Sequence, residues 1–547
     1  MAGSRDLARR SALSFLLALT LPVVAVCQES IARIEIESAP VFPDTTEESL
    51  PWILRLANRL HVTTREGVIR TEMLLDEGEP YDSLRVRESE RLLRDRGLFE
   101  SVELTAVPAD SGRIVRVRTQ DLWTLSVILS AEKQADLSSL TIGMEDSNVF
   151  GTGNEISWTQ SFSTDEDGLI ASLAMPRLGK TRAALGLLYA DLDDSRARSV
   201  ALGRHPETPF DRFGWGVRVR TNRGRQRFFD EGEEIGDSRF ERTGGSVFAG
   251  RYTGRDLQIG AGAGWVERRL EPRGEPRSTA AGYPPPPEFD AARHRGPILY
   301  AGAMRRRFVE ARNLERYGTV EDVPIGWSVL ATAGPNLLHD EDPERAFAIW
   351  SHLAGSWFHR SRFGVSVECV AQGFLTHDRR PGERRIDATA STLWHPTDRW
   401  LAVLHGSVLV GADRTGTAVR YLGTDSGLRG FPTREIETRD LFLAGLEARY
   451  WTGIEVLWTG IGFNAFTDTA LPSRGSIGEG TRWRTGAGCG LLLGLKKSLR
   501  RPVRIEIAWR TDEDAAPTLT VSTSAVLRAV PAILFPNPVT AFARAGR

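Results

Sequence analysis

Residues 213–220 read Phe-Gly-Trp-Gly-Val-Arg-Val-Arg, so that a large apolar side chain occupies every second position. The same alternation covers residues 257–266 and 503–510, where the intervening positions are mostly glycine or charged residues. A period of two indicates a β-strand with one apolar face. Arginine and glutamate on the other face need contact with water, which the lumen of a membrane barrel supplies.

Alternating segments of about ten residues continue from Trp123 to about residue 528, separated by turn-forming clusters. A soluble β-sandwich also alternates, but a sandwich of this length would divide into domains. We therefore predict a transmembrane antiparallel β-barrel over residues 121–528, preceded by one small α+β domain. Cutting the chain at its turns gives up to about 20 strands, an even number being typical of such barrels. Residues 271–294, with four consecutive prolines, are expected to form a long loop.

The composition agrees with a membrane barrel. The chain has 547 residues and a net charge of −1, which argues against a nucleic-acid-binding protein. Its mean hydropathy is −0.26, as in soluble proteins. A barrel can have this value because its lumen-facing positions are polar and lower the average.

Residues 1–27 are typical of a signal peptide. Arg5, Arg9 and Arg10 precede an apolar run over residues 12–26 that is too short to span a bilayer as a helix. Cleavage near residues 25–28 is expected, and a lipidated Cys27 is the alternative. No long apolar stretch follows residue 30, so the exported chain would be secreted, periplasmic or an outer-membrane barrel.

Residues 28–120 carry mixed patterns that predict a small α+β domain. A strand is expected over residues 31–37, followed by helical spacing between residues 50 and 60. Thr64 is a candidate cap for the next helix, and Asp82 or Ser83 for a third. Two strands, at residues 102–107 and 113–118, complete the domain.

No motif in the sequence points to catalysis, and we expect no enzyme activity. The chain lacks a nucleophile elbow, a phosphate-binding loop with lysine, and His-Glu-x-x-His. Its nine histidines show no spacing suited to a metal site, so neither metal nor cofactor is expected. The glycine-rich segments 260–264 and 486–490 lie inside alternating strands, which favours lumen-face or close-packing positions over nucleotide loops.

Several short motifs resemble those of the BamA/TamA superfamily of outer-membrane assembly and translocation barrels. Gly78–Asp82 and Arg96–Val102 resemble a POTRA domain, the periplasmic module that precedes such barrels; an unrelated βααββ domain is the alternative. Asp146–Asn154 and Gly427–Phe431 follow in the expected order, before Leu446–Arg449 and Phe466–Asp468. The resemblance covers nearly the whole mature chain and implies a barrel of 16 strands.

The resemblance also implies a site. The loop that carries Gly427, Leu428, Arg429, Gly430 and Phe431 would fold into the lumen, where Arg429 would meet acidic wall residues. Strand parity places Glu447 and Asp468 on the inner face as its partners. Gly430 would allow a tight bend and Phe431 would pack on the wall. Such a plug would stabilise the barrel, change conformation during client passage, or do both.

The implied function is insertion of β-barrel proteins into, or polypeptide translocation across, the bacterial outer membrane. The implied partners are unfolded client polypeptides, outer-membrane lipids, and periplasmic chaperones or accessory lipoproteins. A structural or pore-forming barrel and a dedicated translocator of one secreted partner are the alternatives. Two features depart from the family: the single POTRA-like domain, and a C-terminal tail over residues 529–547 that does not end on an aromatic residue.

Overall fold

The computed structural model describes residues 29–42, 61–134, 137–163, 167–230, 233–286, 291–338, 345–378, 381–412, 420–432, 435–456, 458–473, 482–496, 501–511 and 516–522. The predicted signal peptide, the helical segment between residues 50 and 60, and the tail over 529–547 lie outside these ranges. No helix among the described residues has the length and apolar character needed to cross a membrane.

A front domain is formed by residues 29–121. It contains strand β1 (Ile31–Ala39), helices α1 (Glu66–Glu72) and α2 (Ser83–Asp95), and strands β2 (Phe99–Ala109) and β3 (Gly112–Asp121). The sheet order is β1-β3-β2, with β1 parallel to β3 and β2 antiparallel to it. Asp82 caps α2 by accepting a hydrogen bond from the amide of Leu84, as its sequence position predicts.

Twenty strands of the described chain close into one antiparallel barrel, and a two-residue strand, β13, pairs beside them. The family-implied count of 16 is therefore wrong, and the estimate from turn positions is closer. The barrel strands are β4 Leu125–Gln134, β5 Leu137–Asp146, β6 Glu155–Ser163, β7 Gly168–Met175, β8 Ala184–Leu192, β9 Ser195–Arg204, β10 Phe213–Asp230, β11 Glu233–Thr253, β12 Gln258–Pro272, β13 Arg277–Ser278, β14 Ala292–Arg312, β15 Val320–Pro335, β16 Phe347–His359, β17 Phe363–Leu375, β18 Pro381–Thr397, β19 Trp400–Ala412, β22 Asp440–Val456, β23 Thr459–Ser473, β24 Arg484–Leu495, β25 Val503–Arg510 and β26 Thr518–Ser522.

The barrel has two distinct ends. We call the end at which β4 begins, next to the front domain, the domain end, and the opposite end the far end. Between β19 and β22 the chain forms a far-end loop with its own short strands β20 (Arg420–Leu422) and β21 (Ile436–Thr438). Part of the predicted loop over residues 271–294 belongs to the sheet, because β12 extends to Pro272, β13 pairs with β11 and β14 begins at Ala292.

Alternation along the strands separates an apolar outer face from a mixed inner face. Outward-facing Val217, Val247 and Leu299 are 41–67% exposed, whereas inward-facing Phe248 and Ile298 are almost fully buried. Exposed apolar side chains of this kind recur on strands all around the barrel. The continuous apolar outer surface is that of a membrane barrel.

Glycines on the inner wall lie beneath aromatic rings from neighbouring strands. A Cβ at Gly250 would lie 1.8 Å from the hydroxyl of Tyr300, and one at Gly260 would lie 2.4 Å from the ring of Tyr252. The hydroxyls of Tyr252 and Tyr300 are 3.2 Å apart. These contacts agree with the interpretation of residues 260–264 as close-packing positions. We call this part of β10–β16 the aromatic wall; its buried members are Phe248, Tyr252, Val266, Ile298, Tyr300, Leu330, Ala348 and Trp350.

Candidate functional site

The far-end loop folds into the barrel, where the motif 427–431 is buried. Thr424 and Leu428 close its turn by donating backbone hydrogen bonds to the carbonyls of Phe431 and Gly423. Gly430 has φ 93°, and a Cβ there would lie 2.9 Å from the backbone of Trp509, so both conformation and space require glycine. Leu428 and Phe431 lie in a buried apolar cluster on the wall, as predicted for Phe431.

The structure brings Arg429 to both of its predicted partners. Its guanidinium donates to Asp468 through Nε (2.7 Å to Oδ2) and Nη2 (3.0 Å to Oδ1). Nη1 lies 2.9 Å from Oε2 of Glu447. All three side chains are at most 2% exposed. A bidentate fork on one carboxylate and a third hydrogen bond to another offset much of the cost of burying the cation.

Further charged residues that we did not predict complete this cluster. Arg504 donates from Nη2 to both oxygens of Glu447 at 2.8 Å and to Glu506 at 2.6 Å. Arg449 donates from Nε to Glu447 at 2.6 Å. We call Arg429, Arg449, Arg504, Glu447, Asp468 and Glu506 the ionic cluster; three cations balance three anions in it.

An aromatic ring and two glycines position the loop against the barrel wall. The guanidinium carbon of Arg429 lies 3.4 Å from the ring centroid of Phe466, in cation–π contact. A Cβ at Gly486 would lie 1.9 Å from the carbonyl oxygen of Arg429, and one at Gly490 would lie 2.7 Å from Glu506. The glycines of residues 486–490 therefore make room for the loop and for its acidic partner.

A turn from the domain end reaches the same cluster. The carbonyl of Leu314 accepts a hydrogen bond of 3.3 Å from Nη1 of Arg449. Glu321 shapes this turn, because its carboxylate accepts from the backbone amides of residues 314–316. Tyr317 stacks on Trp451 at 4.4 Å. The ionic cluster thus connects the far-end loop with a domain-end turn.

The motif 146–154 holds the front domain on the barrel. It forms the turn between β5 and β6, and its Asn148 donates from Nδ2 to the hydroxyl of Thr64 at 2.8 Å. Thr64 also donates from its amide to Asp121 at 2.7 Å, so it positions the domain and does not cap α1 as predicted. Arg96 donates to the carbonyl of Gly153 at 2.7 Å.

A buried carboxylate adds a second contact between the two parts. Glu72, at the end of α1, is fully buried and lies 2.7 Å from Nη2 of Arg177 in the turn after β7. Arg177 also pairs with Glu207, at 2.6 Å. On α2, Arg94 pairs with Asp322 of β15 at 2.8 Å. Both helices therefore bind to barrel residues through ion pairs, of which the Glu72–Arg177 pair is the more buried.

At this interface the pKa values of two carboxyl groups are shifted in opposite directions. Burial raises the pKa of Asp95, although Arg91 beside it favours its charged form. Burial also opposes ionisation of Asp211, but the hydrogen bond from Arg204 and the charge of Arg182 outweigh it and lower its pKa. The described residues contain no group of histidine, cysteine, aspartate and glutamate side chains arranged to hold a metal ion.

Comparison with known proteins gives one sequence relative. No family model matches the chain. The outer membrane protein assembly factor BamA of Neisseria meningitidis serogroup B is 24% identical over 219 residues, which is 34% of this chain and 26% of that protein. The matched region thus spans about a quarter of the relative's length. The match agrees with the resemblance to the BamA/TamA superfamily inferred from the motifs, and the strand pairing is that of an outer-membrane barrel.

Solved structures give only distant likenesses. BamA from Haemophilus ducreyi lacking POTRA domains 1–3 covers 90% of this chain, and 84% of its own length, with 14% identity and a TM-score of 0.38. CdiB from Acinetobacter baumannii covers 90% of this chain and 73% of its own length, with 11% identity and a TM-score of 0.45. The siderophore receptor PirA from Pseudomonas aeruginosa covers 75% of this chain and 82% of its own length, with 10% identity and a TM-score of 0.36. The scores are low, so the fold rests on the strand pairing described above.

Proposed function

We propose that the chain assists the insertion of β-barrel proteins into the outer membrane, or moves polypeptides across it. The domain end then faces the periplasm, and the front domain is a POTRA-like module that receives unfolded clients. Its strand and helix order and the edge positions of β1 and β2 support this assignment. An edge strand can pair with an extended polypeptide through backbone hydrogen bonds.

The seam between the last and first barrel strands carries the proposal. β26 joins β4 through register pairs at Leu519–Lys133, Thr520–Glu132 and Val521–Ala131. These two strands close the barrel and would become its edges if the seam opened. An edge strand can pair with an extended polypeptide through backbone hydrogen bonds, so we infer that a client strand enters here.

The test is reconstitution of the full chain in liposomes with an unfolded client barrel. We expect protease-resistant, folded client to accumulate faster than in empty liposomes. No acceleration with several unrelated clients would contradict the insertion activity.

A disulfide across the seam makes the test specific. Val521→Cys with Ala131→Cys, in a background where the free thiols of Cys369 and Cys489 are replaced by serine, joins a register pair of β26 and β4. We expect oxidation to abolish the acceleration and a reductant to restore it.

The matched control places the disulfide elsewhere on the outer face. Ala448→Cys with Ala465→Cys joins a register pair of β22 and β23, far from the seam. Oxidation should leave its activity unchanged. Equal activity of the oxidised seam variant would show that the client does not pass through the seam.

One observation favours a pore as the second candidate. A cavity of about 230 Å³ lies on the inner faces of β17 and β18, lined mainly by polar side chains: Glu368, Gln372, Arg385, Asp387 and Thr389. A polar interior of this kind can hold water and ions. A stable, client-independent conductance without acceleration of client folding would support the pore.

A further inference from the structure

The outer face of the barrel changes from apolar to basic along a sharp line on β9–β14. One row of register partners, Leu202, Val217, Val247, Trp265 and Pro297, is entirely apolar. Four residues further toward the far end along each strand, the corresponding row is Arg198, Thr221, Thr243, Arg269 and Arg293. The apolar outer surface therefore ends within one or two side-chain rows.

The level of this line matches the edge of a membrane. On β10 the outward residues from the domain end are Phe213, Trp215, Val217 and Val219, followed by Thr221 and Arg223. The four apolar positions span six residue steps, about 20 Å along the strand at about 3.3 Å per residue. Outer-membrane barrels present an apolar band to lipid, and polar residues follow where it ends. The basic residues therefore lie where lipid headgroups begin.

The basic residues form one group, which we call the arginine belt: Arg196, Arg198, Arg223, Arg269, Arg273, Arg293 and Arg295. Their carboxylate partners are fewer: Glu241 pairs with Arg223 and Arg273, and Glu271 with Arg269 and Arg293. Asp191 and Glu267 pair with Arg196 and Arg295. Among the described residues, these seven cations against four anions give a net charge of +3.

In the two pairs at the centre of the belt the cation is the more exposed partner. The side chains of Arg223 and Arg269 are 63% and 53% exposed, whereas those of Glu241 and Glu271 are 22% and 33% exposed. The carboxylates thus lie closer to the barrel and orient guanidinium groups that project outward. Elsewhere at the far end outward positions are apolar. Ala371 on β17 and Val410 on β19 are examples.

We propose that the arginine belt binds the phosphate groups of a diphosphorylated glycolipid of the outer leaflet. Its guanidinium groups, spread over four strands, can engage two separated phosphates bidentately, and the apolar rows beneath them accept the acyl chains. The site would anchor this side of the barrel at a fixed depth. The inference rests on the membrane location of the barrel and not on insertion of clients.

The test measures lipid bound to the full chain in phosphatidylcholine nanodiscs. The discs contain either lipid A with both phosphates or the same lipid with its phosphates removed, and native mass spectrometry reads the bound lipid. We expect selective retention of the diphosphorylated form, decreasing as salt rises. Equal retention of the two forms, or equal displacement by phosphatidylglycerol, would overturn the proposal.

Variants then locate the site. Arg269→Gln, Arg293→Gln and Arg295→Gln together should weaken lipid A binding about tenfold or more, since each arginine near a lipid surface contributes measurably. The control, Arg305→Gln with Arg307→Gln, removes two outward arginines at the domain end of β14, which pair with Asp256. It should bind lipid A like the wild type.

The lipid assay contains no client, so its failure is distinguishable from failure of the proposed function. Heat-modifiable electrophoretic mobility establishes that each variant is folded. Wild-type binding by a folded triple variant would contradict the assignment. If the triple variant does not fold, the comparison of the two lipids with the wild-type chain still decides the question.

Discussion

At the scale of single residues, the ionic cluster is held by Arg429. It donates to two carboxylates that are fully buried, Asp468 and Glu447. The family resemblance and strand parity together predicted these partners, since Glu447 shares parity with Arg449 and Asp468 with Asn464. Glu506 and Arg504 alternate in the same way, but parity does not tell at which height two strands align, so their contact with Arg429 could not be predicted.

Arg429→Ala should lower the stability of the barrel. The substitution leaves Asp468 buried without its cation and removes one of the three cations around Glu447. Breaking a buried pair in this way costs about 3–5 kcal/mol. We expect the temperature of heat-modifiable mobility to fall and the conductance in planar bilayers to rise. Arg439→Ala, at an exposed position of the same loop, should change neither. Unchanged stability and conductance of the Arg429 variant would show that Arg429 does not hold the loop in the lumen.

At the scale of elements, glycines decide which strand faces can be approached closely. The sequence placed residues 486–490 inside a strand, and the structure agrees. Their purpose could not be derived, because the loop that packs on Gly486 comes from residues more than fifty positions earlier. The strand count was better predicted from local features than by analogy. Counting turns gave nearly twenty strands, whereas analogy with the family gave sixteen.

Gly486→Ala should displace the loop without changing any charge. The new methyl group would overlap the carbonyl oxygen of Arg429, and overpacking of this kind costs about 1–3 kcal/mol. We expect higher conductance and faster proteolysis of the far-end loop. The control is Gly406→Ala in β19, where a Cβ meets no atom within 4 Å. A Gly486 variant that behaves like this control would show that the loop does not depend on close packing at β24.

At the scale of the whole molecule, the front domain and the barrel are joined by polar contacts. Each part was recognisable from its own periodicity, 3.6 residues in the helices and two in the strands. The contacts of Asn148 with Thr64 and of Glu72 with Arg177 were not predictable, because no sequence pattern aligns one domain with another. The motif 146–154, used above only as a family signature, has this docking role.

Glu72→Gln should loosen the front domain. It removes the buried one of the two anions that pair with Arg177 and leaves the more exposed Glu207, so the expected loss of docking stability is about 3 kcal/mol. We expect faster proteolytic cleavage between the domain and the barrel, near residues 121–124. Glu66→Gln, at an exposed position of the same helix, is the control. Equal cleavage rates for the two variants would indicate that the contacts of Asn148 and Arg94 suffice.

The aromatic wall has a mechanical consequence for the barrel as a whole. Rings seated over glycines oppose sliding of the strands: a slip of two residues along β11 would drive the Tyr300 ring from Gly250 onto Phe248 or Tyr252. Rings also lie over glycines on β17, β23 and β24, at Gly364, Gly462 and Gly488. None of the described glycines of β4–β8 lies beneath a ring. We therefore expect strain applied by a membrane or by an entering polypeptide to collect on those strands, beside the seam.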